Sequence, residues 1–465
     1  MSCLVILAAL ALLMYAAYRG HSVILFAPVA ALGAVLLTDP SLVAPMFTGL
    51  FMDKMVGFLK LYFPVFLLGA VFGKVIELSG FSKSIVAAVV RIAGPQHAIL
   101  AIVAVCALLT YGGVSLFVVV FAVYPFAAEL FRESGLPKRL IPATVALGAF
   151  TFTMDALPGT PQIQNIIPIP FFKTNAYAAP WLGSIGAVFI LITGVLYLRW
   201  RGGLAIAAGE GYGADLKQEP EPFAHDRLAN PWVALLPLVL VGILNKVFTI
   251  YIPRLYGETH SFVPAVIGKA APVTQEIAKV AAIWAVEGAL FGGILMVLAC
   301  AWKPVTARFA EGSKAAISGA LLASMNTASE YGFGAVIAGL PGFLVVANAL
   351  KSVPHPLVNE AITVTSLAGI TGSASGGLGI ALAAMGDTFA QNAHAAGIPL
   401  EVVHRIAAMA SGGMDTLPHN GAVITLLTVT GLTHRQAYGD IFVITCLKTL
   451  AVLVVIVTYH LTGLA

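Results

Sequence analysis

Met154-Asp155-Ala156-Leu157-Pro158 recurs 260 positions later as Met414-Asp415-Thr416-Leu417-Pro418. Each copy sets an acid and a helix-breaking proline inside a long apolar run. A carboxylate and an interrupted backbone are both costly at membrane depth, and persist there only against protein, water or a ligand. Two copies at matching places in two halves predict a site at a repeat interface, the layout of a secondary transporter.

The surroundings are those of a membrane protein. Of 465 residues, 59% are hydrophobic and 10% charged, with mean hydropathy +0.94, whereas a soluble domain carries about 25% charged residues. The runs are too long for the roughly ten-residue alternation of a membrane β-barrel. The expectation is an all-α polytopic membrane protein in contact with lipid. A net charge of +4 without a basic run gives no sign of nucleic acid. Cys3, Cys106, Cys300 and Cys446 lack the spacing of a zinc or redox site. No metal and no cofactor is expected. The apolar stretch Leu4–Tyr18 has no basic residue before it and Arg19 after it, so it reads as a retained helix rather than a signal peptide.

Runs near 20 residues mark spans. In the first half they fall at 3–18, 22–38, 61–79, 140–170 (broken) and 176–199, and in the second at 232–252, 281–301, 316–340, 402–430 (broken) and 440–463. Ser82–Gly94, with Lys83 and Arg91, is expected along the membrane surface. Residues 96–130 form two short arms about Tyr111-Gly112-Gly113, and 358–396 two more about Thr371 to Gly377. Such pairs read as re-entrant hairpins, with two full spans each as the alternative. The organisation is then residues 1–200 as a first repeat, 201–230 as a polar linker and 231–465 as a second repeat. Phe72-Gly73 matches Phe333-Gly334, Gly112 and Ser115 match Gly372 and Ser375, and Gly135-Leu136-Pro137 matches Gly397-Ile398-Pro399, at offsets near 260.

Five spans per half reverse the second half in the membrane. Lys83, Arg91, Arg132, Lys138, Arg139, Arg199, Arg201, Lys303, Arg308, Lys314 and Arg435 then share one side, which the positive-inside rule makes cytoplasmic. The 394–405 segment, with one arginine, falls outside. One hairpin opens from each side.

The candidate site combines hairpin tips and breaks. Asp155, Thr160, Gln162 and Asn165 lie in the first break, and Asp415, Thr416, His419 and Asn420 in the second. Prolines there free backbone groups to coordinate an ion or anion. The plainer reading is a packed kink whose polar groups satisfy each other. At the tips, Tyr111, Gly112, Gly113, Ser115, Thr371, Ser373 and Ser375 adjoin helix starts, where serine caps and free amides attract anions. This makes a carboxylate clamp that needs no arginine or lysine. Lys173 reads as snorkelling to an interface, and Lys74 with Glu77 as a helical ion pair. Asp155, Asp415, Glu330 and His419 are candidates for proton coupling, Glu330 because its surroundings are apolar and His419 because it titrates near neutrality. Glu287 shares an apolar setting.

Tyr111-Gly-Gly-Val-Ser115, Asp155-Ala-Leu-Pro-Gly-Thr-Pro161 and Asp415-Thr-Leu-Pro-His-Asn420 resemble the gluconate permease (GntP-type) family of proton symporters, within the ion-transporter superfamily. The resemblance covers nearly the whole length. It implies a bacterial inner-membrane proton symporter for small hydroxy-carboxylates such as gluconate or 3-hydroxybutyrate. The superfamily implies scaffold and transport domains, a homodimer and elevator motion. Where the family carries a Pro-His-Pro-Gly-Pro type run, this chain has Leu157-Pro-Gly-Thr-Pro161, which suits a short-chain acid as well as a sugar acid. Sodium coupling and carboxylate exchange are alternatives within transport. An intramembrane enzyme using Ser115 or Ser375 with His419 is the remote alternative, and no established catalytic motif accompanies it.

Overall fold

The computed structural model describes residues 2–19, 21–114, 116–213, 219–220, 228–263, 272–343, 353, 355–418 and 420–465. The chain is nearly all helix. α1 (Ser2–Tyr18) and α2 (Val23–Thr38) form an antiparallel pair. A continuous helical run, α3 (Pro40–Leu78), follows. The span expected at 61–79 is therefore the second half of a 39-residue helix, whose earlier part was hidden by Asp53, Lys54 and Lys60. α4 (Phe81–Ala93) is bent 103° from the helix after it, in keeping with a segment lying across the spans.

Next come the first hairpin, α5 (Ala98–Tyr111) and α6 (Leu116–Glu133), and the first interrupted helix, in four pieces: α7 (Ile141–Ala149), α8 (Phe152–Asp155), α9 (Ile163–Ile166) and α10 (Ile169–Phe172). α11 (Pro180–Ala207) continues past Arg201, so the linker begins later than residue 201. The second half contains α12 (Pro231–Tyr256), α13 (Ile277–Cys300) and α14 (Phe309–Ala338). The second hairpin is α15 (Pro356–Thr371) with α16 (Ala374–Ala395). The second interrupted helix is α17 (Leu400–Ser411) with α18 (Gly421–Thr430), and α19 (His434–Thr462) ends the chain. Among the described residues one element departs from all-α: an exposed antiparallel ribbon, β1 (Thr259–Phe262) with β2 (Val273–Glu276). Its Thr and Val favour strands, but two four-residue strands are too short to read from pattern.

Helix starts are chemically defined. Asn230 caps α12, its side chain accepting from Trp232 N, with Pro231 at the first helical position. Thr433 and Gln436 form a capping box on α19.

Five helices among the described residues are long and apolar enough to cross a membrane. On α12, Trp232, Leu236, Val239, Ile243, Val247 and Ile250 recur at helical spacing and are all exposed. A stripe of this size facing outward suits lipid rather than water. Beneath this coat α3 packs on α14, α2 on α14 and α13 on α3.

The hairpins enter from opposite ends. Ser134 Oγ, at the far end of α6, donates to Pro95 O at 2.7 Å, on the side of the central linker, where Lys138 N donates to Tyr212 O at 3.0 Å. The second hairpin starts on the other side, with His355 stacked edge-on at 4.3 Å against His460 near the end of α19. α5 has 14 residues and α6 has 18. At 1.5 Å per residue α5 is about 21 Å long, short of a hydrocarbon core of about 30 Å.

Candidate functional site

Both acids sit where a helix stops. Asp155 ends α8, and Pro158 and Pro161 hold the chain out of helix until α9. Asp415 follows α17, and Pro418 delays the start of α18. The two interruptions touch. The Asp155 carboxyl lies on the backbone of Gly412, where an added Cβ would fall 1.9 Å from Oδ2. Only glycine allows that approach.

Arg405 joins the halves. It projects from α17 and is fully buried. Its Nη1 donates to Asp155 O at 2.8 Å and to Asn165 Oδ1 at 3.0 Å, and Nε and Nη2 donate to Ala178 O at 3.1 and 2.8 Å. Beside it, His404 Nδ1 lies 2.5 Å from Thr174 Oγ1, and Nε2 lies 3.3 Å from Asn165 Oδ1. A second buried cation, Lys448 of α19, forms an ion pair with Asp415 and donates to Phe150 O at 3.1 Å. Lys448 thus ties the acid of one interruption to the helix end of the other. Buried charges persist when paired and hydrogen-bonded, and these two cations neutralise the charge that two acids bring.

Neither cation figures in the expected anion clamp, and both are engaged by groups of the protein. Arg405 is also not an exterior loop residue: the 394–405 segment already contains the first part of α17. An intramembrane cation in an apolar run, as in Ile441–Ile456 around Lys448, is itself a functional signal.

The tips are stitched to the interruptions. Tyr111 Oη donates to Pro158 O at 2.8 Å, and Gln162 Nε2 donates to Thr110 O at 2.7 Å. Gly113, with φ +95°, makes the tip turn between Leu290 and Pro161, and Gly112 faces Leu238. In the other half Asn420 Nδ2 donates to Gly372 O at 2.8 Å, while its Oδ1 accepts from Ala422 N and Val423 N to cap α18. Each tip therefore receives an amide hydrogen bond from the interruption of its own half.

Other candidate groups are engaged within the protein. Thr160 Oγ1 donates to Thr153 O at 2.7 Å. Asn165 donates to Thr160 O and Ala176 O while accepting from Arg405, so its amide braces the first interruption. Thr416 Oγ1 lies 2.6 Å from Thr445 Oγ1. Thr371 Oγ1 donates within its own helix end. The cap of α16 is Ser373, whose Oγ accepts from Gly376 N at 3.0 Å. Ser375 instead lies 3.1 Å from Thr327 Oγ1. Glu330 is buried beside this tip, and Glu287 on α13 is half-buried. Ser115 and His419 lie outside the described residues. Lys173 is exposed at the end of α10. Glu360 of α15 drew no notice in the sequence. It is buried, and neither carboxyl oxygen has a partner among the described residues.

A cavity of about 320 Å³ opens between α3 and the end of the first interrupted helix, lined by Asp53, Lys54, Phe58, Tyr62, Phe171 and Tyr331 among others. Tyr62 Oη donates to Ile167 O at 2.8 Å at its base.

Long apolar helices coated for lipid, around charge buried at helix interruptions, define a polytopic helical membrane protein with an internal polar centre. Known proteins specify it further. An uncharacterized transporter of Bacillus subtilis (strain 168), YxjC, is 59% identical over 100% of this chain and 100% of its own length. The chain belongs to the family of that transporter and is a multi-pass membrane transporter. Among solved structures, the YdaH transporter of Alcanivorax borkumensis, reported to have an unusual topology, shares the fold. Its TM-score is 0.51 at 14% identity, over 92% of this chain and 90% of that one. No protein-family model matches the chain.

Proposed function

We propose that the protein is a proton-coupled symporter of a small hydroxy-carboxylate, working by alternating access in the bacterial inner membrane. The observation that carries this is the contact between the two interruptions. There Asp155 meets Gly412, Arg405 meets Asp155 O, and Lys448 pairs with Asp415. Such a centre holds positive charge that an acid now neutralises. A proton taken by Asp415 would free Lys448 to meet a substrate carboxylate, so that each ligand favours the other's binding. Asp155, on the other interruption, is the second candidate for the proton, and His419 the third.

Opposed hairpins and matched interruptions support a pair of inverted repeats. Under that reading the hairpins and interrupted helices form a transport domain, and it slides against a scaffold built around α3 and α14. Thr160, Gln162 and Asn420, with the tips, would frame the substrate. The resemblance to gluconate permeases favours gluconate-like or 3-hydroxybutyrate-like acids and a homodimer.

The test is uptake by purified protein in sealed liposomes, with lactate, 3-hydroxybutyrate, gluconate and citrate presented in turn under an imposed pH gradient. Uptake of one or more monocarboxylates that collapses with the gradient is expected. Loss of that uptake is expected in both D155N and D415N. Uptake unchanged in both variants overturns the assignment of the proton to these acids. Uptake that follows only a sodium gradient at fixed pH replaces protons by Na⁺.

A further inference from the structure

Glu330 of α14 reaches the beginning of α16. Its side chain is buried, 2% exposed, and its Oε2 has no hydrogen-bond partner among the described residues. A Cβ on Gly376 would lie 1.7 Å from that oxygen, so the carboxyl rests directly on the first turn of α16. Thr327, one turn earlier on α14, approaches the same helix start through Ser375. The first turn of a helix leaves amides without intrahelical partners and carries the positive end of the dipole; here the Ser373 side chain accepts from the Gly376 amide. The carboxyl lies against the flank of this turn without a hydrogen bond from its amides, close enough for its charge to act on the positive end that would attract a ligand carboxylate.

Among the described residues no other charged group is paired with it. On α3 the titratable residues are Asp53, Lys54, Lys60, Tyr62, Lys74 and Glu77. Lys74 and Glu77 pair with each other at 2.8 Å, and Asp53, Lys54 and Tyr62 line the cavity. α2 has no titratable residue, α16 carries Asp387 and His394, and α15 carries Glu360. Tyr331 follows on α14 itself. Among the described residues none forms an ion pair or hydrogen bond with Glu330.

We propose that Glu330 is a tethered anion that competes with the substrate carboxylate for the start of α16, and that a proton decides the competition. This rests on the carboxylate-transport reading above. Ionised, Glu330 sets its negative charge against the positive helix end. When one carboxylate oxygen takes a proton from solution, the neutral acid yields that end to the incoming anion. When the proton leaves, the carboxylate returns and displaces the anion. One proton is thereby linked to one substrate carboxylate. Glycine is required at 376 because any side chain would push the carboxyl off the helix turn.

The experiment is titration calorimetry of the full chain in detergent with 3-hydroxybutyrate and with gluconate, in buffers of differing ionisation enthalpy, to count the protons taken up on binding. Wild type is expected to take up protons and to bind more tightly as pH falls, by up to about tenfold per pH unit for each linked proton. E330Q is expected to take up about one proton fewer and to bind more tightly than wild type at alkaline pH. Gly376→Ala, which displaces the carboxyl and leaves it intact, is expected to lower the proton count in the same direction and serves if E330Q fails to fold. An unchanged proton count in both folded variants overturns the proposal and leaves the transport reading standing. Failure of wild type to bind either acid at any pH overturns the carboxylate reading and this proposal with it.

Discussion

Lys448 and Asp415 cannot be removed one at a time without consequence. Each is nearly inaccessible, and each is the other's counter-ion. Stripping one partner from a buried pair leaves an uncompensated charge and costs about 3–5 kcal/mol. K448M is therefore expected to lower the thermal midpoint of the purified protein strongly. K448M/D415N is expected to be closer to wild type than K448M alone, because no charge is left behind. Additive losses in thermal unfolding would show that the pair is not coupled. Arg405 differs in kind: its hydrogen bonds run to backbone carbonyls and to Asn165. R405K keeps the charge but loses the planar fork that serves three acceptors at once, and is expected to fold poorly or lose uptake.

At the scale of elements, Asn420 performs two tasks, capping α18 and binding the second tip. N420A should cost about 1–2 kcal/mol for the cap alone, and N420D should keep the cap while losing the donor to Gly372. Wild-type uptake by N420D would mean that the stitch between tip and interruption has no part in transport. Both interruptions and the helical class were legible because glycine, proline and acids are conspicuous in apolar runs. The cations were not. Arg405 sits among Val402, Val403 and Ile406 at the end of a segment expected outside, and Lys448 lies in a run ending at Ile456 that has the pattern of an ordinary span. Their partners come from elements 250 and 33 residues away, and no local pattern reports such a distance. The length of α3 and the β ribbon were missed for a simpler cause: charged residues diluted one signal, and shortness erased the other.

At the scale of the molecule, the proposed sliding of a transport domain on a scaffold would place the cavity between α3 and α10 at their boundary. Cysteines replacing Phe58 and Phe171, joined by a bifunctional thiol reagent in a background without Cys3, Cys106, Cys300 and Cys446, are expected to abolish uptake. Uptake that survives complete cross-linking would rule out sliding there. The linker holds the other end. Glu219 pairs with Arg132 and Lys138 at 2.5 Å each, and Glu210 with Arg139 at 2.6 Å. The Arg139 guanidinium holds the Glu210 carboxyl below the usual carboxylate range. Because the folded-state value is lowered, this pairing contributes above the ordinary carboxylate range and is lost as pH falls through the lowered value. Glu210 is exposed, so the contribution is small. The protection of the Lys138 amide, whose N–H bonds Tyr212 O, corrected for the intrinsic pH dependence of exchange, is expected to fall in acid and to fall less in E210Q.

The balance of charge at the helix interruptions has an electrical consequence. Arg405 and Lys448 set against Asp155 and Asp415 sum to zero when all four are ionised. Carrying a single elementary charge through the membrane field costs about 2.3 kcal/mol per 100 mV, and a body whose charges cancel escapes that cost on its empty return. If one proton accompanies one monocarboxylate on Asp415, and Glu330 stays behind with α14, the loaded crossing is neutral as well. Membrane voltage would then have no purchase on either half of the cycle, and the direction of transport would follow the two concentration gradients alone.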